Sequence, residues 1–263
     1  MNTPKLTAIG SGKGGTGKTF VATSLASAFA LQGERVLLCD ADLGLSNSSV
    51  HLGLESGGDL AGVLSDRLSL SQAIVPVSGG QRGSFDLIAA PAGSGALANV
   101  GQAIAGRLIA KLRAARVYDR ILLDLSAGVD ATTIQFAALA DETLLVLTAD
   151  PASLTDAYAF AKLQLRLSGA MPLALVNLAE SEAEARRTGE TLIKTCQAFL
   201  KVAPDYLGYV PRDSHAVTAI RRQSPLLTLF PQCPASRAFE SLARRLVSCG
   251  APGKAEAGVL KLR

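Results

Sequence analysis

The sequence predicts an α/β fold: a doubly wound, mostly parallel sheet of about seven or eight strands with helices on both faces. Three features of the 263-residue chain lead to this prediction. Short apolar runs alternate with segments of helical periodicity, which is the order of parallel βαβ units. A glycine-rich segment separates the first apolar run from the first helical segment, and acidic residues follow two later runs. Ligands of such sheets bind beyond the carboxyl ends of the strands, so we expect these segments to face one site.

The predicted elements alternate along the chain. The strand-like runs are residues 6–10, 35–40, 85–89, 120–125, 143–148, 172–176 and 207–210. The helical patterns are residues 18–32, 103–116, 154–167 and 182–200. Two sets of apolar residues are predicted to face the core from these helices. They are Ala22, Leu25, Ala26 and Phe29 in the first helix, and Leu154, Tyr158 and Leu165 in the third.

The glycine-rich segment, residues 10–19, reads Gly-Ser-Gly-Lys-Gly-Gly-Thr-Gly-Lys-Thr and fits the phosphate-loop pattern G-x-x-x-x-G-K-[ST]. Glycines let backbone N–H groups turn inward around phosphate oxygens, and the following helix adds the positive end of its dipole. The pattern predicts that Lys18 reaches the β- and γ-phosphates and that the Thr19 hydroxyl binds Mg²⁺. A glycine-rich turn with lysines of no functional role is the alternative, which the strand–loop–helix context disfavours. The predicted nucleotide-binding residues of the loop are Gly12, Lys13, Gly14, Gly15, Thr16, Gly17, Lys18, Thr19 and Phe20.

Three acidic residues mark the ends of two other predicted strands: Asp40 and Asp42 on the second, and Asp124 on the fourth. Carboxylates beside a phosphate loop can hold Mg²⁺ through water or orient an attacking water. Asp124 follows an apolar run in a Walker B pattern and is predicted to contact the Mg²⁺ shell. Capping of turns and helices is the alternative for Asp40 and Asp42.

Further polar positions follow the later strands. Asn177 comes directly after the run 172–176, and its amide can both donate to and accept from a base edge. Residues 209–213 read Tyr-Val-Pro-Arg-Asp and follow the next strand. Gly128 is expected to let a backbone N–H approach the γ-phosphate.

These motifs, together with Lys13 near the start of the glycine-rich loop, resemble the deviant Walker A ATPases of the MinD/ParA family. The resemblance implies that two subunits sandwich two ATP molecules and that Lys13 crosses to the partner's nucleotide. It also implies that Asp42 positions the hydrolytic water and that Asp40 supports the Mg²⁺ shell, alongside Thr19 and Asp124. The implied catalytic residues are Lys13, Lys18 and Asp42. The adenine pocket is implied to be lined by Asn177, Pro211 and Asp213.

One position departs from the pattern of that family. Many relatives place Thr or Ser directly after the P-loop threonine, where a hydroxyl meets the α-phosphate, but this chain has Phe20 there. The Phe20 backbone N–H remains, so we expect binding to persist with one contact fewer.

Two segments resemble the FlhG and FleN regulators of flagellar number: residues 150–162, and parts of residues 207–246. The resemblance implies an ATP-dependent dimerisation switch that regulates the number or placement of a cell structure, above all flagella. The implied partners are a second copy of the chain and a flagellar GTPase, transcription regulator or basal-body component. The alternative is a ParA-like DNA-partitioning ATPase that binds DNA nonspecifically through basic helix faces. The candidate residues for such faces are Arg107, Lys111, Arg113 and Arg116, and Arg221, Arg222, Arg244 and Arg245.

Composition and charge limit the other possibilities. We expect residues 1–250 to form one domain and residues 251–263 a flexible tail with at most a weak amphipathic end. Residues 1–210 carry a net charge of −2, whereas residues 211–263 carry +6. Such a basic portion can meet an anionic membrane, nucleic acid or an acidic protein, or form a solvated face.

Apolar runs and cysteine spacing indicate where the protein is located and whether it binds a metal cluster. No apolar run reaches about 18 residues, and no signal peptide is evident. We therefore expect a cytoplasmic protein, with at most weak peripheral contact at the inner face of the membrane or at a cell pole. The four cysteines form no C-x-x-C pair, which weakens a zinc or iron–sulfur interpretation, and Cys39 is expected in the core.

Overall fold

A computed structural model of the protein describes residues 3–42, 48–79, 83–89 and 103–249. The strands are β1 (Lys5–Ser11), β2 (Val36–Ala41), β3 (Val75–Val77), β4 (Phe85–Ile88), β5 (Arg120–Ala127), β6 (Glu142–Leu147), β7 (Leu173–Ala179) and β8 (Tyr206–Pro211). The longer helices are α1 (Lys18–Leu31), α5 (Ala103–Arg113), α6 (Ala131–Leu139), α7 (Pro151–Ser168), α8 (Glu182–Leu200), α9 (Ser214–Arg221) and α11 (Pro234–Cys249). Short helices are α2 (Ser48–His51), α3 (Leu60–Leu64), α4 (Leu70–Ala73) and α10 (Leu226–Leu229).

The eight strands form one sheet in the order β3-β4-β2-β5-β1-β6-β7-β8. Only the β3–β4 pair is antiparallel among these strands; the other pairs are parallel. The chain therefore winds outward in both directions from the middle of the sheet, which confirms the predicted fold class. Since β1 lies between β5 and β6, the loop that follows it opens at the centre of the carboxyl edge, where such sheets bind ligands.

Alternating residues of the strands supply two cores, one on each face of the sheet. On β1, Ala8 belongs to the core covered by α5, α6, α7 and α8, and Ile9 to the core covered by α1 and α11. Cys39 of β2 is fully buried, as predicted. No helix in the described ranges is long and apolar enough to cross a membrane.

Helix α1 is buried more completely than the sequence predicts. The four predicted core residues are buried, but so is every other residue from 20 to 30. The reason is that α1 lies between the sheet and α11, whose Phe239 ring packs edge-on against Phe20 at 5.7 Å between centroids. Phe20 is thus a core residue of α1.

The predicted strands and helices all begin and end within three residues of the observed ones. The prediction omits β3, a three-residue edge strand with Pro76 at its centre. It also does not include α6, α9, α11 or the four short helices. Leu154, Tyr158 and Leu165 are all half-buried, but only Leu154 and Tyr158 pack against the core, so the placement of Leu165 is wrong. The fully buried apolar residues of α7 are Ala157, Phe160 and Ala161. The predicted tail, 251–263, lies outside the described residues.

Candidate nucleotide-binding site

The loop between β1 and α1 has the backbone of a phosphate loop. Gly15 and Gly17 have φ angles of +80° and +83°, in the region that favours glycine. Gly17 is the N-cap of α1, and its carbonyl oxygen accepts the first helical hydrogen bond, from Val21 N at 2.9 Å. No acidic residue lies in the first turn of α1. The positive end of a 14-residue helix is therefore left for an anion.

Two glycines of the loop are also required by close packing. A Cβ atom at Gly12 would lie 2.2 Å from the Asp156 carbonyl group of α7. A Cβ atom at Gly17 would lie 2.5 Å from the Asn177 side-chain nitrogen. The loop is thus held between α7 and the end of β7.

Asn177 holds the phosphate loop in place through a buried hydrogen bond. Its side chain is 1% exposed, and its Nδ2 donates to the Thr16 carbonyl oxygen at 2.8 Å. Its Oδ1 and the Thr16 hydroxyl are buried without hydrogen-bond partners among the described residues. Buried polar atoms without partners are costly, so both fit a site completed by a polar ligand. The contact of Asn177 with adenine stays a prediction, since the observed role of the residue is to position the loop.

Asp40 accepts hydrogen bonds from backbone groups on either side of residues 43–47, which lie outside the described residues. Its Oδ1 accepts from Asp42 N at 3.0 Å and its Oδ2 from Ser48 N at 3.1 Å, so one carboxylate holds both ends of residues 42–48. Asp42 accepts a hydrogen bond from the Ser126 hydroxyl at 3.1 Å, which links the loops after β2 and β5. The observed contacts of Asp40 match the loop-capping alternative. The Mg²⁺ role of Asp40 and the water-orienting role of Asp42 stay predictions.

Asp124 is the most strongly perturbed acid of the site. It pairs in register with Asp40 on the neighbouring strand and is 1% exposed. Burial, and then the charge of Asp40, raise the pKa of Asp124 to about 7, although Lys18 and a hydrogen bond from Thr19 act in the opposite direction. Its Oδ1 has no hydrogen-bond partner among the described residues. A divalent cation at these oxygens would offset both the burial and the repulsion, so the donor set fits Mg²⁺.

Lys13 forms an ion pair with a residue of the same chain. Its Nζ lies 2.5 Å from Oδ2 of Asp150, and the two side chains are 34% and 47% exposed. Asp150 is the N-cap of α7 and also accepts from Ala152 N at 3.1 Å. The hydrogen bond from Lys13 is the main cause that lowers the pKa of Asp150. Lys13 is thus paired with the start of α7. Its crossing to a second subunit stays a prediction and would require that pair to open.

Two other predicted contacts have different roles in the structure. Asp213 is the N-cap of α9: its Oδ1 accepts from His215 N at 2.9 Å, and its Oδ2 accepts from Ala235 N at 3.0 Å. Pro211 ends β8 beside it, and the adenine contacts of both residues stay predictions. The Gly128 amide donates to the Ser11 carbonyl oxygen at 2.9 Å, so it extends the sheet instead of pointing to a phosphate.

The two basic helix faces differ in their charge balance. On α5, Arg107 and Lys111 pair with Asp66, and Arg113 pairs with Asp141 at 2.7 Å. In the C-terminal portion, Arg244 approaches Glu240 at 3.7 Å and Arg245 donates to the Tyr206 carbonyl oxygen at 3.4 Å. Arg221 and Arg222 are exposed, and no ion pair found in the described part of the chain includes them.

Comparison with known proteins agrees with this geometry. A family model described as the CobQ/CobB/MinD/ParA nucleotide binding domain matches residues 7–226. The antiactivator FleN of Pseudomonas aeruginosa is 35% identical over 254 residues, which cover 96% of this chain and 89% of FleN. The flagellum site-determining protein YlxH of Helicobacter pylori is 29% identical over 260 residues, covering 98% of this chain and 85% of YlxH. A chain of the MinC:MinD cell division protein complex of Aquifex aeolicus superposes with a TM-score of 0.76 at 27% identity, covering 95% of this chain and 98% of that chain.

Proposed function

We propose, since this chain belongs to the CobQ/CobB/MinD/ParA nucleotide-binding domain family, that it is an ATP-dependent dimerisation switch. Its ATPase activity is proposed to be slow and to depend on the dimer. The observation that carries the proposal is the position of Lys13. It lies in the phosphate loop, carries a positive charge, and is paired with Asp150 on the surface of its own α7. A second nucleotide-bound subunit would offer a stronger anion to the same ammonium group.

The phosphates of ATP are assigned to the loop and the start of α1. Backbone N–H groups of residues 12–20 and the helix dipole stabilise the negative charge, and Lys18 neutralises the β- and γ-phosphates. Mg²⁺, when bound, further neutralises charge that develops during phosphoryl transfer. Thr19 and Asp124 are the residues that would hold it, with Asp40 as a supporting carboxylate.

Hydrolysis is assigned to Asp42. In the reaction, water attacks the γ-phosphorus and the bond to the β–γ bridging oxygen breaks, giving ADP and phosphate. The Asp42 carboxylate orients the attacking water, and its bond to Ser126 couples that position to the end of β5. Since hydrolysis removes the γ-phosphate, it removes the anion that holds Lys13 of the partner, and the dimer separates.

The cellular role that we propose is regulation of the number or placement of flagella. This is supported by the likeness to an antiactivator, FleN, and to a flagellum site-determining protein, YlxH. Partners of the switch are proposed to be a flagellar GTPase, transcription regulator or basal-body component. We place the protein in the cytoplasm, with weak or no membrane contact.

A DNA-partitioning ATPase is the second candidate. The exposed Arg221 and Arg222 favour this function. On α5, by contrast, ion pairs neutralise most of the positive charge of the other basic face. Nonspecific DNA binding would fall steeply with salt and would weaken when both arginines are replaced by alanine. A filter-binding titration at two salt concentrations separates the two functions.

The dimerisation switch is tested by light scattering coupled to size-exclusion chromatography, with and without ATP and Mg²⁺. We expect wild type to dimerise transiently and Asp42→Ala to accumulate as an ATP-bound dimer, because orientation of water acts in the transition state. Lys13→Ala should bind ATP by calorimetry but stay monomeric and inactive. If Lys13→Ala dimerises like wild type, the proposal that Lys13 completes a site shared by two subunits is wrong.

A further inference from the structure

Three side chains with different ligand atoms meet beyond the end of β8. They are Asp213, the N-cap of α9; His215 in the first turn of α9; and Cys233, which directly precedes α11. One oxygen, one nitrogen and the sulfur of these residues all lie within 4.8 Å of one another. Oδ1 of Asp213 and Nδ1 of His215 are 2.8 Å apart. The cluster thus brings together residues that are 20 positions apart in the chain.

The ligand set suits Zn²⁺. A carboxylate, an imidazole and a thiolate are the ligands of this borderline-soft ion, with bonds of about 2.0–2.3 Å. A tetrahedral centre with such bonds needs ligand atoms about 3.3–3.7 Å apart. The three ligand atoms lie within 4.8 Å of one another, and metal binding would replace the 2.8 Å contact between Asp213 Oδ1 and His215 Nδ1. The Asp213 side chain is 4% exposed and that of His215 is 47% exposed. The site would therefore be closed on the Asp213 side and open to water on the His215 side.

Each ligand is already oriented by a second contact. The other oxygen of Asp213 accepts from Ala235 N at 3.0 Å. The sulfur of Cys233 accepts from Ser236 N at 3.4 Å. The His215 ring packs on the Phe230 ring with 4.7 Å between centroids. Outer contacts of this kind fix the geometry of metal ligands, and N–H donors at a helix start favour a thiolate.

We propose that Asp213, His215 and Cys233 bind one Zn²⁺ per chain, with water as the fourth ligand. The Cys233 thiol releases its proton to solvent, and coordination through Nδ1 leaves the proton of neutral His215 on Nε2. The ion would link the start of α9, which follows the edge strand β8, to the start of α11, which packs on α1. This site does not depend on the proposed ATPase and is tested without nucleotide.

The experiment uses the full chain, stripped of metal with a chelator and titrated with Co²⁺ as a spectroscopic probe. We expect one equivalent of Co²⁺ to give visible bands of a tetrahedral centre and a near-ultraviolet thiolate-to-metal band, both removed by Zn²⁺. Cys233→Ser should lose the thiolate band. His215→Ala, which changes a half-exposed side chain, should weaken Co²⁺ binding by at least about tenfold, since loss of an outer-shell contact alone costs that much.

Cys196→Ser is the matched control, because it removes a buried thiol that is not part of the cluster. This control should keep the full Co²⁺ spectrum. Zn²⁺ should also raise the unfolding temperature of wild type but not that of His215→Ala. The site is absent if stoichiometric Co²⁺ gives no thiolate band, or if the band survives in Cys233→Ser, or if a control variant loses it equally.

Discussion

Replacement of Asp124 by asparagine should stabilise the ligand-free protein while it weakens Mg²⁺ binding. Asp124 is fully buried beside Asp40, and its pKa is raised from an ordinary 3.8 to about 7, first by burial and then by that neighbouring charge. A carboxyl group whose pKa is higher in the folded than in the unfolded state stabilises the folded protein at pH values below about 4. That contribution is lost as the pH rises from about 4 to about 7. Asparagine keeps the shape of the side chain and removes the charge.

The size of the effect follows from the two pKa values. Each pH unit between them costs about 1.4 kcal/mol of folding free energy. Relative to low pH, the ligand-free fold therefore loses about 4 kcal/mol above pH 8. At pH 5 it loses about 1.5 kcal/mol, because the unfolded state has released a proton that folded Asp124 still holds. We expect the advantage of Asp124→Asn over wild type to grow by about 2–3 kcal/mol between pH 5 and pH 8.5.

Urea unfolding at these two pH values, monitored by circular dichroism, measures the advantage. Asp119→Asn is the control, since the hydrogen bond from Arg35 is the main cause that lowers the pKa of Asp119 to about 2. Its contribution is present above pH 4 and is lost only as the pH falls toward 2, so its effect should be equal at pH 5 and pH 8.5. Addition of Mg²⁺ and a non-hydrolysable ATP analogue should stabilise wild type more than Asp124→Asn. An advantage that does not change with pH would refute the argument.

Two further predictions concern the phosphate loop. Asp150→Asn should let the ATP-loaded protein dimerise at lower concentration than wild type by light scattering, because asparagine keeps the cap of α7 but releases Lys13; an unchanged concentration dependence would contradict the proposed competition. Asn177→Ala should lower the free energy of unfolding by about 1–3 kcal/mol, because it leaves the Thr16 carbonyl oxygen without its buried donor. The same variant should also bind ATP more weakly when its affinity is measured by calorimetry. If its unfolding free energy and its ATP affinity both equal those of wild type, Asn177 does not position the loop.

The larger elements of the fold were predictable because their signals are local. Apolar periodicity identified seven strands and four long helices, each to within three residues. The short strand β3 gives no such signal, since it has three residues and a central proline, and it pairs only at the sheet edge. The burial of α1 on all sides was also hidden, because it depends on α11, about 200 residues later in the chain.

The sequence indicates which residue types form the candidate site, but not which contacts they make. The pattern around Lys18 and the apolar run before Asp124 indicate a phosphate loop and an acidic strand end, and the fold brings both to one edge. The sequence does not show that Lys13 pairs with Asp150, which lies 137 residues away. It also does not show that Asn177 fastens the loop through a backbone carbonyl. Such contacts arise from the order of strands in the sheet, which no local pattern specifies.

The burial of α1 restricts which parts of the molecule can open without global unfolding. A helix whose residues 20–30 are all buried cannot fray from its first turn without separating the sheet from α11. The amide protons of α1 from Val21 onward, which are hydrogen-bonded within the helix, should therefore exchange with deuterium only at the rate set by global opening. The floor of the candidate site, formed by the start of α1, is therefore the part of the domain that we expect to change least when a ligand binds.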